Sequence, residues 1–182
     1  MKTLILLLLL IIYSCDDNNS IRTYSIPKKK IAPKETNQVS NVSNLFNWVA
    51  PSHWQAGKTS SMRLASFNVP YTEGVGDLSI ANFSGEAGGV LANVNRWRGQ
   101  LNLSSLTVDQ LKNEMRVEQS SLGEFKMFKI LNSTDESSAF LCSIFEIGHS
   151  TVFVKLVASI SGINQLEKEF KEFCSSFFIN EK

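Results

Sequence analysis

The run SAFLCSIFEI, Ser138–Ile147, followed by Gly148-His149-Ser150 and then TVFVKLVASI, Thr151–Ile160, decides the fold. Each flank is rich in Phe, Val, Ile and Leu and has the length of a strand, and the residues between them read as a hairpin turn. A hairpin sets its strands antiparallel. Upstream, Phe125–Leu131 puts Phe125, Met127 and Leu131 on one side of the pleat and Phe128 and Ile130 on the other, which requires packing against both faces of the sheet. Ser61–Val69 and Asp77–Phe83 are further strand-like runs, and Phe46-Asn47-Trp48-Val49-Ala50-Pro51 with Trp54 opens the domain on large apolar side chains around a proline turn.

Three segments change from a period of two to the helical period. Val90, Val94, Trp97 and Leu101 recur at helical spacing, starting after Gly88-Gly89 and closing near Gly99. A short helix begins at Thr107, where Gln110 completes a capping-box pattern ahead of Leu111 and Met115. Ile163, Leu166, Phe170, Phe173 and Phe177 form one stripe, with Glu167, Lys168, Lys171 and Glu172 mostly off it, so an amphipathic C-terminal helix packs on the sheet. The expected class is α+β: a central antiparallel sheet covered by helices. There are no internal repeats.

Composition agrees with one folded domain on a leader. The chain has 182 residues, 43% of them hydrophobic and 19% charged, close to globular averages. Its formal net charge is +1, and what positive charge exists is unevenly placed: residues 16–44 carry five basic against three acidic side chains, residues 45–182 twelve against fourteen. A nucleic-acid partner is disfavoured, because neutralising phosphates needs Lys and Arg clustered on the folded surface rather than along a tail.

Met1-Lys2-Thr3 precedes an unbroken apolar run, Leu4 to Ile12, and then Tyr13-Ser14-Cys15. Nine apolar residues are too few for a membrane-spanning helix, which takes about 20, but they match the core of an export signal. Ile12-Tyr13-Ser14-Cys15 resembles the lipobox of bacterial lipoproteins. That resemblance implies cleavage of residues 1–14, acylation of the Cys15 thiol with a diacylglycerol, and a lipid-anchored domain facing the periplasm or the exterior; inner versus outer membrane stays open. Several fatty chains hold a protein at a bilayer firmly where one holds it marginally, since each buried CH₂ contributes about 0.8 kcal/mol. Residues 15–44, rich in Asn, Ser, Lys and Pro, read as a lipidated flexible tether with a short strand-like stretch at Ile21–Ile26 and a lysine triplet, Lys28-Lys29-Lys30, that is solvated or touches anionic headgroups.

Trp48, Pro51 and Trp54, then Ser61-Met62-Arg63-Leu64-Ala65-Ser66-Phe67, then Gly85-Glu86-Ala87-Gly88-Gly89 running into Asn93-Val94-Asn95-Arg96-Trp97-Arg98-Gly99-Gln100-Leu101, resemble a group of uncharacterised bacterial lipoproteins. The layout of residues 45–182, down to Ser175-Ser176-Phe177, is similar to the PsbP-like fold. The likeness implies a sandwich of sheet and helices with a binding or assembly role, and no reaction.

The residues agree with a non-enzymatic reading. His53 and His149 are far apart, and no His-x-x-x-His, Cys-x-x-Cys or acidic calcium loop accompanies them, so no metal or cofactor is expected. There is no Gly-x-Ser-x-Gly elbow, Walker loop or dinucleotide fingerprint. The glycines of Gly85–Gly89 serve a tight turn in preference to an anion site, because Glu86 already brings negative charge to the helix start. On the first helix Asn93, Arg96 and Gln100 share a polar face, the best candidate for recognition of an envelope protein or a small ligand; the competing role is local pairing of Arg96 and Arg98 with carboxylates such as Glu86. Cys142 and Cys174 either form a disulfide, closing a loop of roughly 30 residues worth about 3 kcal/mol, or remain buried free thiols. The alternative from another class is an envelope hydrolase built on an unrecognised serine, His149 or Arg96.

Replacing Cys15 by serine tests the anchor. We expect Cys15→Ser to abolish fatty-acid incorporation and leader cleavage in metabolic labelling; normal processing and labelling of the variant would remove the lipoprotein assignment.

Overall fold

The computed structural model describes residues 46–58 and 60–179. The leader, Cys15, the tether and the strand expected at Ile21–Ile26 lie outside the described residues. The elements run β1 (Phe46–Asn47), β2 (Gln55–Ala56), β3 (Ala65–Tyr71), β4 (Gly74–Ser84), α1 (Val90–Gln100), α2 (Val108–Glu114), β5 (Arg116–Ser120), β6 (Gly123–Leu131), β7 (Ala139–Ile147), β8 (Ser150–Ala158), α3 (Ile160–Ser175) and β9 (Phe178–Ile179). This is the α+β architecture expected.

Seven strands form one antiparallel sheet in the order β2-β3-β4-β8-β7-β6-β5. Two meanders compose it. The segment β2-β3-β4 turns back on itself, the chain crosses through α1 and α2 to the far edge, and β5-β6-β7-β8 returns until β8 pairs with β4. The hairpin at Gly148-His149 forms as expected, with Gly148 at φ 57, a conformation that glycine adopts without steric cost. Strands β7 and β8 are therefore central and covered on both faces. Of their residues only Glu146 is exposed.

Alternation along these strands divides the core in two. Val69, Leu78, Ile80, Phe125, Met127, Leu141, Phe145, Val154 and Leu156 face α3, which lays Ile163, Leu166, Phe170 and Phe173 on them. On the opposite face Phe128, Ile130, Phe140, Cys142, Ile144 and Phe153 meet Val94 and Trp97 of α1, Leu101 just past its end, and Leu106 and Leu111 beside and within α2. The pleat read in Phe125–Leu131 is thus the one observed. Aromatic rings tie the first cluster together: Phe125 to Phe145 at 4.8 Å, Phe145 to Phe177 at 4.9 Å, and Trp54 to Phe173 at 4.8 Å between ring centroids. Phe177 lies past the end of α3 yet stays fully buried, and β9 next to it pairs with β1, so the two ends of the domain close on each other.

Local signals set the helix starts. Thr107 Oγ1 accepts the Gln110 N–H and Gln110 Oε1 accepts the Thr107 N–H, the reciprocal capping box expected there. Ser159 Oγ accepts the Gly162 N–H at the start of α3. Gly162 is needed for contact rather than for backbone freedom: a Cβ there would lie 2.8–2.9 Å from three ring atoms of Tyr71. Two differences from the sequence reading concern edges. The first long strand is Ala65–Tyr71 rather than Ser61–Val69, because Arg63 N–H closes a turn on the Ser60 carbonyl. Strand β5 is extra: Arg116–Ser120 carries a single aliphatic side chain, Val117, half exposed on the outer edge.

Helix α3 is also fastened electrostatically to that edge. Glu167 accepts from Arg116 and from Lys129, both at 2.6 Å, and Lys171 pairs with Glu118 at 2.7 Å. The Lys129 hydrogen bond, reinforced by Arg116, holds the Glu167 carboxyl below its ordinary value of 4.5, against a smaller opposing effect of burial. A carboxyl depressed in the folded state adds stability above its unfolded pKa and loses it as pH falls through the folded value. Glu167→Gln should therefore be less stable than the parent at pH 7 by about 1 kcal/mol or less. In urea titrations the gap should shrink once the pH drops below about 4 and vanish at lower pH; a gap independent of pH would refute the assignment.

Candidate functional site

The two faces of the sheet are not equally covered. Helix α3 spans its face from β3 to β5, whereas α1 and α2 cover only the β6-β7-β8 half of the other. On that second face the β3-β4 half lies open, and it carries the polar side chains of Ser66, Asn68, Asp77 and Ser79, with Pro70 and Val75 exposed beyond them. Asn68, Pro70 and Asp77 are exposed there, and a shallow recess of about 550 Å³ is lined by Lys58, Ser60, Arg63, Asn68 and Asp77.

Register explains which groups meet. Ser66 stands opposite Ser79, Ser79 opposite Lys155, and Lys155 opposite Cys142, so one row across the sheet runs hydroxyl, hydroxyl, ammonium, thiol before entering the apolar core. Arg63 reaches over the outer end of the row. It donates to both oxygens of Asp77 at 3.0 Å and to Ser66 Oγ at 3.3 Å, a two-pronged pair that fixes the guanidinium. At the inner end Lys155 donates to Gln100 Oε1 at 2.5 Å and lies 3.6 Å from the centroid of the Phe140 ring. Burial pushes the Lys155 ammonium below the ordinary lysine range, and Arg96 and Arg63 push the same way; Cys142, in its ionised form, and then Asp77 oppose them.

The sequence candidates divide on inspection. Asn93 is buried, and its amide is used inside the fold: Nδ2 donates to the Ala87 and Gly89 carbonyls at 2.8 and 2.7 Å, and Oδ1 accepts from Arg96 at 3.0 Å. It clamps the loop at Gly85–Gly89, where Ala87 has φ 48 and Gly88 and Gly89 have φ 87 and 80. Arg96 and Gln100 are exposed on the same flank of α1, one turn apart, and the Gln100 contact places that flank beside Lys155. Arg98 takes the bracing role, donating to the Ser104 carbonyl at 2.8 Å and pairing with Glu114 at 3.4 Å. Arg96 does not pair with Glu86; its partner is Asn93.

Sequence reasoning missed Arg63, Ser66, Asp77, Ser79 and Lys155. One signal was present: Lys155 is the single charge in β8 and interrupts the apolar run at residues 152–158. Its neighbours across the sheet come from residues about 75 to 90 positions earlier, and only the strand register supplies them.

Of the two alternatives for the cysteines, the structure has buried free thiols, and they belong to the cores on opposite faces of the sheet. Alternation is the reason: Ser143 points at α3, where its Oγ accepts the Cys174 S–H at 3.3 Å, so Cys142 next to it points away toward α1. Burial pushes the Cys174 thiol up to about 12, its Ser143 hydrogen bond acting the other way, and burial also raises Cys142 above the ordinary thiol range. The other candidates stay apart. His53 Nε2 sits 2.9 Å from Glu169 on the α3 face, while His149 lines a second recess with Glu86, Glu146 and the loop glycines, where two carboxylates disfavour an anion. Among the described residues no group of three or more metal-ligating side chains occurs.

Comparison with known proteins bears on the fold. No protein-family model matches the chain, and no curated protein does. Among solved structures it is similar to the cyanobacterial PsbP, CyanoP, of Synechocystis sp. PCC 6803, with a TM-score of 0.50 and 12% identity over 75% of this chain and 87% of that one. A protein of Bacteroides thetaiotaomicron matches at a TM-score of 0.47 and 14% identity over 77% of this chain and 47% of that one, so the chain spans about half of that protein's length. LpqN of Mycobacterium tuberculosis, described as involved in cell envelope biogenesis, matches at 0.41 and 9% identity over 75% of this chain and 83% of that one. The domain has a PsbP-like fold. No helix among the described residues is long and apolar enough to cross a membrane.

Both thiols should resist alkylation in the native protein and react once it is unfolded. Mass spectrometry without reductant should find Cys142 and Cys174 reduced after purification in air; a peptide pair linked through them would show that the strand and the helix approach differently.

Proposed function

We propose that the protein is a lipid-anchored component of a bacterial envelope whose PsbP-like domain is a non-enzymatic binding or assembly module, and that it binds through the open half of the α1-side sheet face. Two things support the anchor: the Ile12-Tyr13-Ser14-Cys15 sequence and the apolar leader that precedes it. One observation carries the binding reading. A sheet with apolar covering on three of its four half-faces leaves the fourth open and largely polar, with Ser66, Asp77, Ser79 and Lys155 placed by strand register and Arg63 held onto Asp77 and Ser66 by hydrogen bonds.

Such a face suits recognition. Its side chains are ordered by hydrogen bonds and rigid strands, so a partner meets groups whose entropy is largely spent before binding. The recess is shallow and lined from β3, β4 and the loop before them, and a partner that extends from it along the Ser66-Ser79-Lys155 row reaches the flank of α1 at Gln100. The tether, read as residues 15–44, lets the domain present this face to molecules near the bilayer.

Site-specific photocrosslinking in cells tests the reading. A photoreactive residue in place of the exposed Asn68 should yield an adduct that is absent when the same residue replaces Lys168, exposed on the outer side of α3. Equal adducts from both positions, or none from Asn68 in a correctly sorted protein, would remove this face as the binding surface.

A further inference from the structure

The composition of the open face specifies its occupant more closely than a polar surface alone would. Arg63 has its counter-charge in Asp77. Lys155 and Arg96 have none: among the described residues neither has a carboxylate oxygen within ion-pair distance, and their polar partners are the neutral amides of Gln100 and Asn93. Like charges on adjacent elements repel. Lys155 is partly buried under α1, and the Arg96 flank stands over the same end of the row, so the pair raises the energy of the empty face. Contact with Phe140 offsets part of that cost, since an aromatic face stabilises an ammonium. Cys142, opposite Lys155, contributes no negative charge because burial keeps it a neutral thiol.

Resting on the reading of this face as the binding surface, we propose that Lys155 and Arg96 form an oxyanion site that takes a phosphate group, bounded toward Arg63 by Ser79, whose hydroxyl donates to the Lys155 carbonyl. A phosphate suits the arrangement because its several oxygens accept from an ammonium and a guanidinium at once. It also neutralises the two cations that the fold leaves uncompensated. Asp77 sets the outer limit of the site: its carboxylate, pinned by Arg63, repels an anion there and confines the phosphate to the α1 side.

The phosphate can belong to a soluble molecule or to a lipid headgroup, and the same chemistry serves both. Pyrophosphate is the probe, with the full-length chain in neutral detergent micelles and sodium chloride added to equal ionic strength. Pyrophosphate should raise the melting temperature more than salt does, and Arg96→Gln and Lys155→Met should each weaken its apparent affinity by about tenfold or more, the loss of one charge-assisted hydrogen bond. Lys155→Met keeps an unbranched apolar stem over Phe140, and exposed Arg96 is not part of the core, so circular dichroism should show both variants folded. Two results overturn the proposal: a response no greater than that to salt, or folded variants that respond like the parent.

Reconstitution into vesicles separates the sources. If phosphatidylglycerol abolishes the pyrophosphate response of the parent and phosphatidylcholine does not, a headgroup occupies the site; a response unchanged by either lipid assigns a soluble phosphate. Failure of this proposal is distinct from failure of the reading beneath it. A crosslink specific to Asn68 with no pyrophosphate effect sinks the phosphate alone, whereas loss of that crosslink sinks the face.

Discussion

Everything in this domain depends on a constraint at its centre: β7 and β8 alternate apolar side chains to both faces, so neither face of the middle of the sheet can be left to water. Leu141, Ser143 and Phe145 point one way and Phe140, Cys142 and Ile144 the other. A two-sided strand pair needs two covering layers. One long helix, α3, supplies the first. The short α1 and α2, inserted where the chain crosses from one meander to the next, supply the second, and their combined length suffices for only half of the sheet. The open polar face follows from that shortfall in cover.

The boundary between covered and open runs through Lys155. Its ammonium lies over the Phe140 ring and reaches Gln100 on the exposed flank of α1, an arrangement that long charged side chains tolerate well. Toward β7 the row continues into Cys142 and then Phe128, both fully buried; toward β3 it continues into Ser79 and Ser66. Side-chain polarity therefore changes within one strand spacing, where α1 ends its cover. Charges at such an edge are screened less than those on the outer surface of α3, where Lys168 and Glu172 sit 3.8 Å apart and exposed. That difference is why the same residue type brings little to a helix surface and much to the rim of a half-covered sheet.

How much of this was legible in the sequence depends on the range of the interaction. Local signals were sufficient for the capping box at Thr107, the Gly148 turn, the α3 stripe and the alternation in Phe125–Leu131, because each is a relation among neighbouring residues. Strand β5 was not legible: an edge strand with one apolar side chain has no burial pattern, and its pairing with Gly123–Leu131 comes from a tight turn on a polar segment. The site was half legible. Arg96 and Gln100 came from helical spacing, yet the same spacing grouped them with Asn93, which turns inward to hold the Gly85–Gly89 loop. Spacing identifies a face of a helix but not which end of that face is buried under a loop.

The cysteines show the same limit from the other direction. A cysteine in a strand and one in the helix packed on that strand invite a bridge, and Ser143, one residue along, does touch Cys174. A shift of one residue in a strand reverses the face, and that single step puts Cys142 among the side chains under α1, opposite Lys155. The parity that denies the disulfide also shapes the open face. It places a neutral thiol, too buried to ionise, across from the Lys155 ammonium where an acidic residue would have supplied an internal counter-ion. The lysine is thereby left without a carboxylate partner among the described residues.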